Sequence, residues 1–221
     1  MVGSVGKLGG AVVRGHFPSH PAMAACEHDS GDRTWLRALD CERLHIVDPA
    51  EHCIEACRRR FADDSRLRYH VNDGRSLAMI PDKSIDFVFS FDSLVHVSRE
   101  IVEAYLGQLT EKLKDDGVGF IQHSNLGEYA PSIAERLPRR ARKLLIKAKI
   151  LEQDHQRARD MTAELFRSFC AAHGLKCVCQ ELVNWRGRRL VDCFTTFAGA
   201  GFHKLAPATY SGMRILCARR S

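Results

Sequence analysis

The sequence predicts an α/β fold in which a mostly parallel, doubly wound sheet carries helices on both faces. Short runs of apolar and β-forming residues alternate with segments of helical periodicity from about residue 22 onward. This alternation is typical of βαβ units, whose parallel strands are joined by crossover helices. The chain has 221 residues, of which 45% are hydrophobic and 27% charged, so it is large enough for one such domain.

Five strands are predicted in the first part of the chain. Residues 85–90 form the clearest one, because this run of apolar and β-forming residues suits a fully buried strand. A helix is predicted at 100–114, where apolar residues recur at every fourth position from Ile101 to Leu113. Gly117 is expected to cap it. The other predicted strands are 22–27, 43–47, 67–71 and 118–122, and the other helices are 32–40 and 50–61.

The second part of the chain completes a predicted seven-stranded sheet. A helix at 162–173 precedes two strand candidates, 175–183 and 190–197, and Gly187 between them suits a hairpin turn. We therefore expect an antiparallel strand at the sheet edge. Residues 126–160 are an insertion whose basic stretch has an apolar helical stripe, which predicts a solvated helix that serves as a lid. The expected domains are a loose leader at 1–20, a single domain at 21–200 and a C-terminal tail at 201–221.

Composition narrows the class of protein. The formal charge of +6 is a mild basic excess that does not by itself indicate nucleic-acid binding. Nine cysteines occur without zinc-site spacing or a disulfide framework, which predicts reduced thiols. No apolar run approaches the roughly 20 residues of a membrane span, and the N-terminus lacks a signal-peptide pattern. We therefore expect a cytoplasmic protein without a membrane or nucleic-acid partner.

Polar residues follow the predicted parallel strands. The carboxyl ends of such strands meet at one edge of the sheet, where α/β proteins bind ligands. Asp48 suits a ribose, because one carboxylate can accept hydrogen bonds from both hydroxyls, and Asp73-Gly74 suits an adenine. The alternative for both acids is a helix N-cap or a turn. The whole series is Glu27, Asp48, Asp73, Asp92 and His123.

Several blocks of the sequence resemble class I S-adenosylmethionine-dependent methyltransferases. IVDPAEHCIEACRRRF resembles the second strand and following helix of that family, and NDGRSL, SIDFVFSFDSLVHV and EKLKDDGVGFIQHSN resemble its next three blocks. More narrowly, FSFDSLVHV, FIQHSN and the tail MTAELFRSFC...ELVNW...LVDCFTTF are similar to bacterial and actinobacterial O-methyltransferases of sugars and small molecules. The resemblance implies a Rossmann-like fold, S-adenosyl-L-methionine as cofactor, and methyl transfer to a hydroxyl of a saccharide, glycoside or other small molecule.

The resemblance also assigns residues to the cofactor. The family usually has three glycines after the first strand, whereas the same pattern here finds Asp29, Gly31 and Arg33. This departure leaves open a catalytically silent relative that acts as a partner or regulatory subunit. A nucleotide-dependent oxidoreductase is a further alternative, because it shares the ribose acid. The residues implied are Glu27 and Gly31 at the methionine end, Asp48 at the ribose, Asp73 and Gly74 at the adenine, and Phe91 and Asp92 beneath the sulfonium.

An active enzyme of this class needs a base for the proton of the acceptor hydroxyl. His123 is the preferred candidate, because it ends a predicted strand beside Asp92 and histidine titrates near neutral pH. His96 is the second candidate, with a histidine packed on the sheet as its alternative interpretation. Mg²⁺ held by Asp92 and Asn125 is another way to acidify the hydroxyl, although no ligand signature is present. A homodimer is left open.

Overall fold

The computed structural model describes residues 22–25, 41–129, 138–148, 157–184 and 189–202. Seven strands and four α-helices lie in these ranges. In chain order they are β1 (Ala22–Ala25), β2 (Leu44–Asp48), α1 (Glu51–Arg60), β3 (Leu67–Val71), β4 (Ile85–Ser90), α2 (Arg99–Lys112), β5 (Leu113–Ser124), α3 (Arg139–Lys147), α4 (Ala163–Ala172), β6 (Lys176–Val183) and β7 (Asp192–Ala198).

The strands lie in the order β3-β2-β1-β4-β5-β7-β6. The short β1 stands between a parallel pair, β3 and β2, and a mixed group of four strands, β4, β5, β7 and β6. The order reverses between β1 and β4, because the chain builds β2 and β3 on one side of β1 and then crosses to the other. Such a switch point leaves a crevice at the carboxyl ends of the strands, where α/β folds bind ligands.

The α/β class is confirmed, but the prediction of a mostly parallel sheet with one antiparallel edge strand needs correction. The antiparallel strand is β7, and it lies inside the sheet, paired with β5 on one side and β6 on the other. The edge strand is β6, so the last four strands are a mixed group. Burial shows why β7 takes the inner place: Cys193 and Phe197 are fully buried in β7, whereas Val178 and Leu182 in β6 are exposed.

Two apolar clusters stabilise the sheet from opposite faces. Ile46 packs with α1, while its neighbour Val47 belongs to the cluster under α2 and α4. Successive residues of a strand point to opposite faces, so the two clusters lie on different sides. In the second cluster, the buried ring of Phe197 lies over Gly119 of β5, where an added Cβ would come within 2.1 Å of it. Glycine at this position allows an aromatic ring to pack directly on the backbone.

The predicted insertion leaves β5 and returns to the same place. The Gly127 N–H donates to the Met161 carbonyl at 3.0 Å, and the Ser124 hydroxyl donates to the Ala158 carbonyl at 2.6 Å. A Cβ at Gly127 would lie 2.8 Å from two backbone oxygens, so the close approach requires glycine. The two ends of the insertion are therefore joined by hydrogen bonds, and α3 lies between them in sequence.

The remaining predictions concern a helix cap, the cysteines, membrane spans and the chain segments outside the sheet. Gly117 does not cap a helix, because α2 ends before it and the chain enters β5 directly. The cysteines within the described ranges form no disulfide with one another. No helix in the part of the chain described is long and apolar enough to cross a membrane. The leader at 1–20, the helix at 32–40, the Gly187 turn and most of the tail lie outside the described residues, as do residues 130–137 and 149–156 of the predicted lid.

Candidate functional site

A cavity of about 410 Å³ opens at the carboxyl ends of β2 and β4, at the switch point of the sheet. This volume is within the usual range of small-molecule sites. Its walls are mainly apolar, and α2 contributes residues such as Ile101 and Leu109. Polar groups enter at a few positions only, an arrangement that orients a ligand within an apolar site. The polar or special residues at its wall include Asp48, Gly74, Ser90, His96 and Tyr105.

Asp48 ends β2 and is only 7% exposed. One of its carboxylate oxygens accepts the Ala50 N–H at 2.7 Å, in the turn that precedes α1. The predicted ligand role and the turn alternative are therefore compatible, because Asp48 also lines the cavity. A buried, fixed carboxylate at this strand end suits the two hydroxyls of a ribose.

The loop after β3 contributes Gly74 but not the side chain of Asp73. Gly74 lines the cavity with φ of +78°, a conformation that favours glycine. Asp73 is exposed, and its Oδ1 accepts from the N–H groups of Ser76 and Arg75, which lower its pKa. The carboxylate is used in a turn and does not line the cavity. Its assignment to the adenine is not supported by this geometry.

Asn72 was missed by the sequence reasoning, although it organises the same loop. Its Nδ2 donates to the Ser76 carbonyl at 2.9 Å and to the Tyr105 hydroxyl at 3.0 Å, and its Oδ1 accepts the Gly74 N–H. The loop is thereby tied to α2 at the cavity wall. An Asn-Asp-Gly sequence reads as a turn in isolation, so only the contact with Tyr105, 33 residues away, shows this function.

Ser90 is the last residue of β4 and is 2% exposed. Ser90 lines the cavity, and its buried hydroxyl has no hydrogen-bond partner within the described ranges. A buried hydroxyl without a partner is costly and therefore rare in native proteins. A polar ligand group that reached it would satisfy it. A lone serine at the end of a predicted strand carries no separate signal, so Ser90 was not identified from the sequence.

Phe91 and Asp92 follow β4 but do not line the cavity. The ring of Phe91 stacks on Phe194 of β7, with centroids 6.0 Å apart. Asp92 has φ of +56°, donates its N–H to Gln122 Oε1 at 2.8 Å and accepts from Arg157 at 3.0 Å. Their place beneath a sulfonium remains a prediction. In this structure they form the turn from which the cavity wall continues.

His123 lies in a buried polar cluster, which we define as Gln122, His123, Asn125, Asp192 and Thr195. The ring is fully buried, and Nδ1 lies 2.9 Å from the Ser124 carbonyl, which can only accept. Nδ1 therefore carries the proton, and Nε2 accepts from the Thr195 hydroxyl at 2.8 Å. Burial lowers the pKa of His123 to about 4. Its assignment as the catalytic base is therefore corrected: both nitrogens are occupied and the ring does not reach the cavity.

The reason for this error is the length of β5. The prediction ended the strand at residue 122, whereas β5 continues to Ser124 and pairs with β7 along its whole end. His123 is thus within the ladder, opposite Cys193. His96, the second candidate, is exposed and lines the cavity. Its Nε2 lies 3.5 Å from Nη1 of Arg157.

The predicted magnesium ligands do not form a site. Asn125 is buried, with Nδ2 donating to the Leu190 carbonyl and Oδ1 accepting the Ala163 N–H. Asp92 bonds to Arg157 instead. Among the described residues, no group of three or more histidine, cysteine or acidic side chains could hold a metal ion. Two other predicted cofactor residues, Glu27 and Gly31, lie outside the described residues, as do Asp29 and Arg33.

These features define the class of site. Three parallel strand ends bring a buried carboxylate, a glycine in a left-handed conformation and a buried hydroxyl to one apolar cavity at the switch point: Asp48, Gly74 and Ser90. The carboxyl edge of the sheet at a switch point is the place where α/β proteins bind ligands.

Comparison with known proteins narrows this class to the methyltransferase fold. Residues 30–117 match a family model described as a methyltransferase domain. No curated protein matches the sequence. A Pyrococcus horikoshii protein of known structure has a TM-score of 0.61 at 16% identity, over 88% of this chain and 89% of its own.

Two further structures have the same fold. Geranyl diphosphate C-methyltransferase from Streptomyces coelicolor, in complex with Mg²⁺, geranyl diphosphate and S-adenosyl-L-homocysteine, has a TM-score of 0.58 at 9% identity, over 88% of this chain and 80% of its own. Phosphoethanolamine N-methyltransferase 2 of Haemonchus contortus, in complex with S-adenosyl-L-methionine, has a TM-score of 0.61 at 12% identity, over 85% of this chain and 50% of its own. The fold is therefore that of S-adenosylmethionine-dependent methyltransferases, and the likeness does not decide which atom is methylated.

Proposed function

We propose that this protein is an S-adenosylmethionine-dependent methyltransferase that methylates a hydroxyl of a sugar-like or other small molecule. The observation that supports it most is the buried carboxylate of Asp48, which ends β2 and lines the cavity at the switch point. The match of residues 30–117 to a methyltransferase domain supports the cofactor. The hydroxyl acceptor rests on the narrower sequence resemblance alone.

The residues of the cavity fit the nucleoside part of this cofactor. Asp48 accepts from the ribose hydroxyls, and the apolar walls at Leu94 and Val97 enclose the adenine. Gly74 allows the base to approach the loop after β3, because no side chain projects there. When bound, the cofactor supplies an electrophilic methyl group on a sulfonium. The chain itself orients the acceptor for in-line attack and removes its proton.

A titration tests the cofactor site directly. Asp48→Asn keeps an oxygen for the Ala50 N–H but removes the charge and one acceptor, so we expect roughly 1.5–3 kcal/mol weaker binding of S-adenosylmethionine or S-adenosylhomocysteine. Asp64→Asn is the matched control, because Asp64 also accepts a backbone N–H two residues on, from Arg66, and is not part of the cavity wall. Calorimetry that detects no binding to the wild type would favour the silent relative instead.

His96 is the base in this proposal, because it is exposed and lines the cavity, unlike His123. Its Nε2 takes the proton only after it leaves the 3.5 Å contact with Nη1 of Arg157. We expect His96→Gln to lower turnover by roughly 100-fold while cofactor affinity changes much less. His52→Gln is the control, because His52 is another exposed histidine, on α1, that does not line the cavity. Turnover is followed with labelled donor and a panel of hydroxylated mono- and oligosaccharides alongside amines. A wild-type rate in His96→Gln would remove this assignment.

The remaining expectations stay predictions. They are the lid function of residues 126–160, the domain limits, a cytoplasmic location, a homodimer and the absence of nucleic-acid and membrane partners. Methylation of amines but not hydroxyls in the same panel would retain the methyltransferase and correct the acceptor.

A further inference from the structure

Arg157 is a buried cation that connects three separate parts of the chain. Its side chain is 7% exposed. Nε and Nη2 bond to the two carboxylate oxygens of Asp192, at 2.8 and 2.9 Å, in the planar two-bond geometry that guanidinium groups favour. Nη2 also donates to Asp92 at 3.0 Å. The residue belongs to the end of the insertion, while its partners begin β7 and follow β4.

The contacts around Asp92 form a closed ring. Its N–H donates to Gln122 Oε1, and Gln122 Nε2 donates at 2.7 Å to Asp192, which holds Arg157. Asp92 itself has a left-handed backbone conformation, which non-glycine residues adopt rarely and mainly where surrounding contacts hold them. Both the amide and the carboxylate of Asp92 are thus fixed by the same group of residues.

The turn at Asp92 leads directly into the cavity wall. Ser93, Leu94, His96 and Val97 all line the cavity. The segment is held again further along, because the Ala158 N–H donates to the Val95 carbonyl at 2.9 Å and the Arg99 N–H donates to Asp160. Residues 157–160 therefore bind the wall segment 92–99 at its start, in its middle and at its end.

We propose that Arg157 is a positioning residue for the cofactor cavity. Through Asp92 and Asp192 it fixes residues 92–97 in the conformation that forms the wall. Because Nη1 donates toward Nε2 of His96, it also places the imidazole proton on Nδ1. The expected consequence for binding rests on the proposed function, whereas the fixed wall can be measured without any cofactor.

Asp92→Asn is the most informative variant. Replacing Arg157 itself would leave Asp192 buried without its cation and risks unfolding the protein. Asparagine at position 92 tolerates the left-handed conformation and leaves the Arg157–Asp192 pair in place, so only the link to the wall is weakened. Asp115→Asn is the control, because Asp115 forms an exposed ion pair with Lys83 at 2.9 Å and does not line the cavity.

Three measurements test the proposal on these variants. We expect Asp92→Asn to weaken S-adenosylhomocysteine binding about tenfold, the effect of one charged hydrogen bond, with an unchanged melting temperature. Hydrogen exchange at the Asp92 and Ala158 amides should become faster. Long-range ¹H–¹⁵N spectra should show the Nδ1-protonated form of His96 in the wild type and a mixture in the variant. Asp115→Asn should match the wild type in all three.

The outcomes separate this proposal from the proposed function. If the wild type binds no cofactor but exchange and the imidazole signal change in Asp92→Asn, the positioning role stands and the methyltransferase assignment fails. If the wild type binds cofactor and Asp92→Asn matches it in affinity, exchange and imidazole signal, Arg157 does not position the wall. An equal loss in Asp115→Asn would also overturn the proposal, because the effect would not depend on the wall.

Discussion

The cavity wall and the buried polar cluster lie side by side at the carboxyl end of the sheet, but they differ in the hydrogen bonding of their buried polar groups. In the buried polar cluster, the Gln122 amide, the His123 ring and the Asp192 carboxylate are bonded to other residues of the chain. In the cavity wall, the Ser90 hydroxyl is buried without a partner among the described residues. Polar residues at a strand end are ligand candidates when they line the cavity, as Asp48 and Ser90 do, and not when they are bonded away from it, as His123 is.

The largest expected effect comes from breaking the buried polar cluster. Asp192→Ala should lower the free energy of unfolding by roughly 3 kcal/mol, because the largely buried Arg157 guanidinium loses its buried two-bond partner and keeps only the exposed Asp92. Urea denaturation measures this loss. Asp115→Ala, which breaks a pair between exposed side chains, should change stability little. Similar small losses in both variants would mean that solvent reaches Arg157 and that the cluster is not a closed unit.

Acid should weaken the same cluster. The pKa of His123 is about 4 in the folded protein because of burial, whereas it is near 6.5 in an unfolded chain. The unfolded chain then binds a proton that the folded protein does not, so stability falls as pH decreases from about 6.5 to 4, by up to about 3 kcal/mol. His123→Gln should flatten the dependence measured by denaturation at each pH.

His45 gives a second, separate contribution in the same pH window. Burial, followed by the charge of nearby His70, lowers the pKa of His45 to about 4. His45→Gln should therefore remove the part of the pH dependence of stability that is due to His45. In the double variant with His123→Gln, the free energy of unfolding should depend less on pH than in either single variant. If the free energy of unfolding of His123→Gln fell with acid as steeply as that of the wild type, His123 would not be the neutral, buried ring described above.

The smallest and sharpest contrast is between two hydroxyls. Ser90→Ala removes a buried hydroxyl without a partner, so the cofactor-free protein should be up to about 1 kcal/mol more stable while cofactor affinity falls by a similar amount. Thr195→Val removes a hydroxyl that is bonded to His123 and Gln180. This variant should therefore lose about 1 kcal/mol or more of stability, while its cofactor affinity stays unchanged. Thermal melts with and without S-adenosylhomocysteine compare them. Loss of stability in Ser90→Ala would contradict the contrast.

Local patterns were sufficient for much of the sheet. Residues 85–90 and 67–71 were predicted as strands and form β4 and β3. Ile85, Val88 and Ser90 are buried in β4, whereas only Leu67 is buried in β3, which lies at the sheet edge. Asp48 was placed correctly at the end of β2, where it lines the cavity. The order of β6 and β7 was not readable, since both strands of a hairpin satisfy the same alternation and only pairing with β5 decides which is inside.

The candidate site was harder to predict, for a physical reason. His123 and His96 look equivalent in sequence, and the difference arises from two extra residues of β5 that place His123 inside a ladder. Arg157 stands in a basic, charged segment and resembles a solvated side chain. Its partners are 65 and 35 residues away, so no local spacing could reveal that it is buried.

The hydrogen bonds that join Gly127 to Met161 and Ser124 to Ala158 have a consequence for how this protein can change. Because of them, the insertion is a cassette, that is, a segment whose two ends lie next to each other on the sheet. Lengthening or exchanging such a loop costs little, because closure entropy grows only slowly with length. A grafted cassette that retains both junctions and Arg157 should therefore leave the scaffold folded.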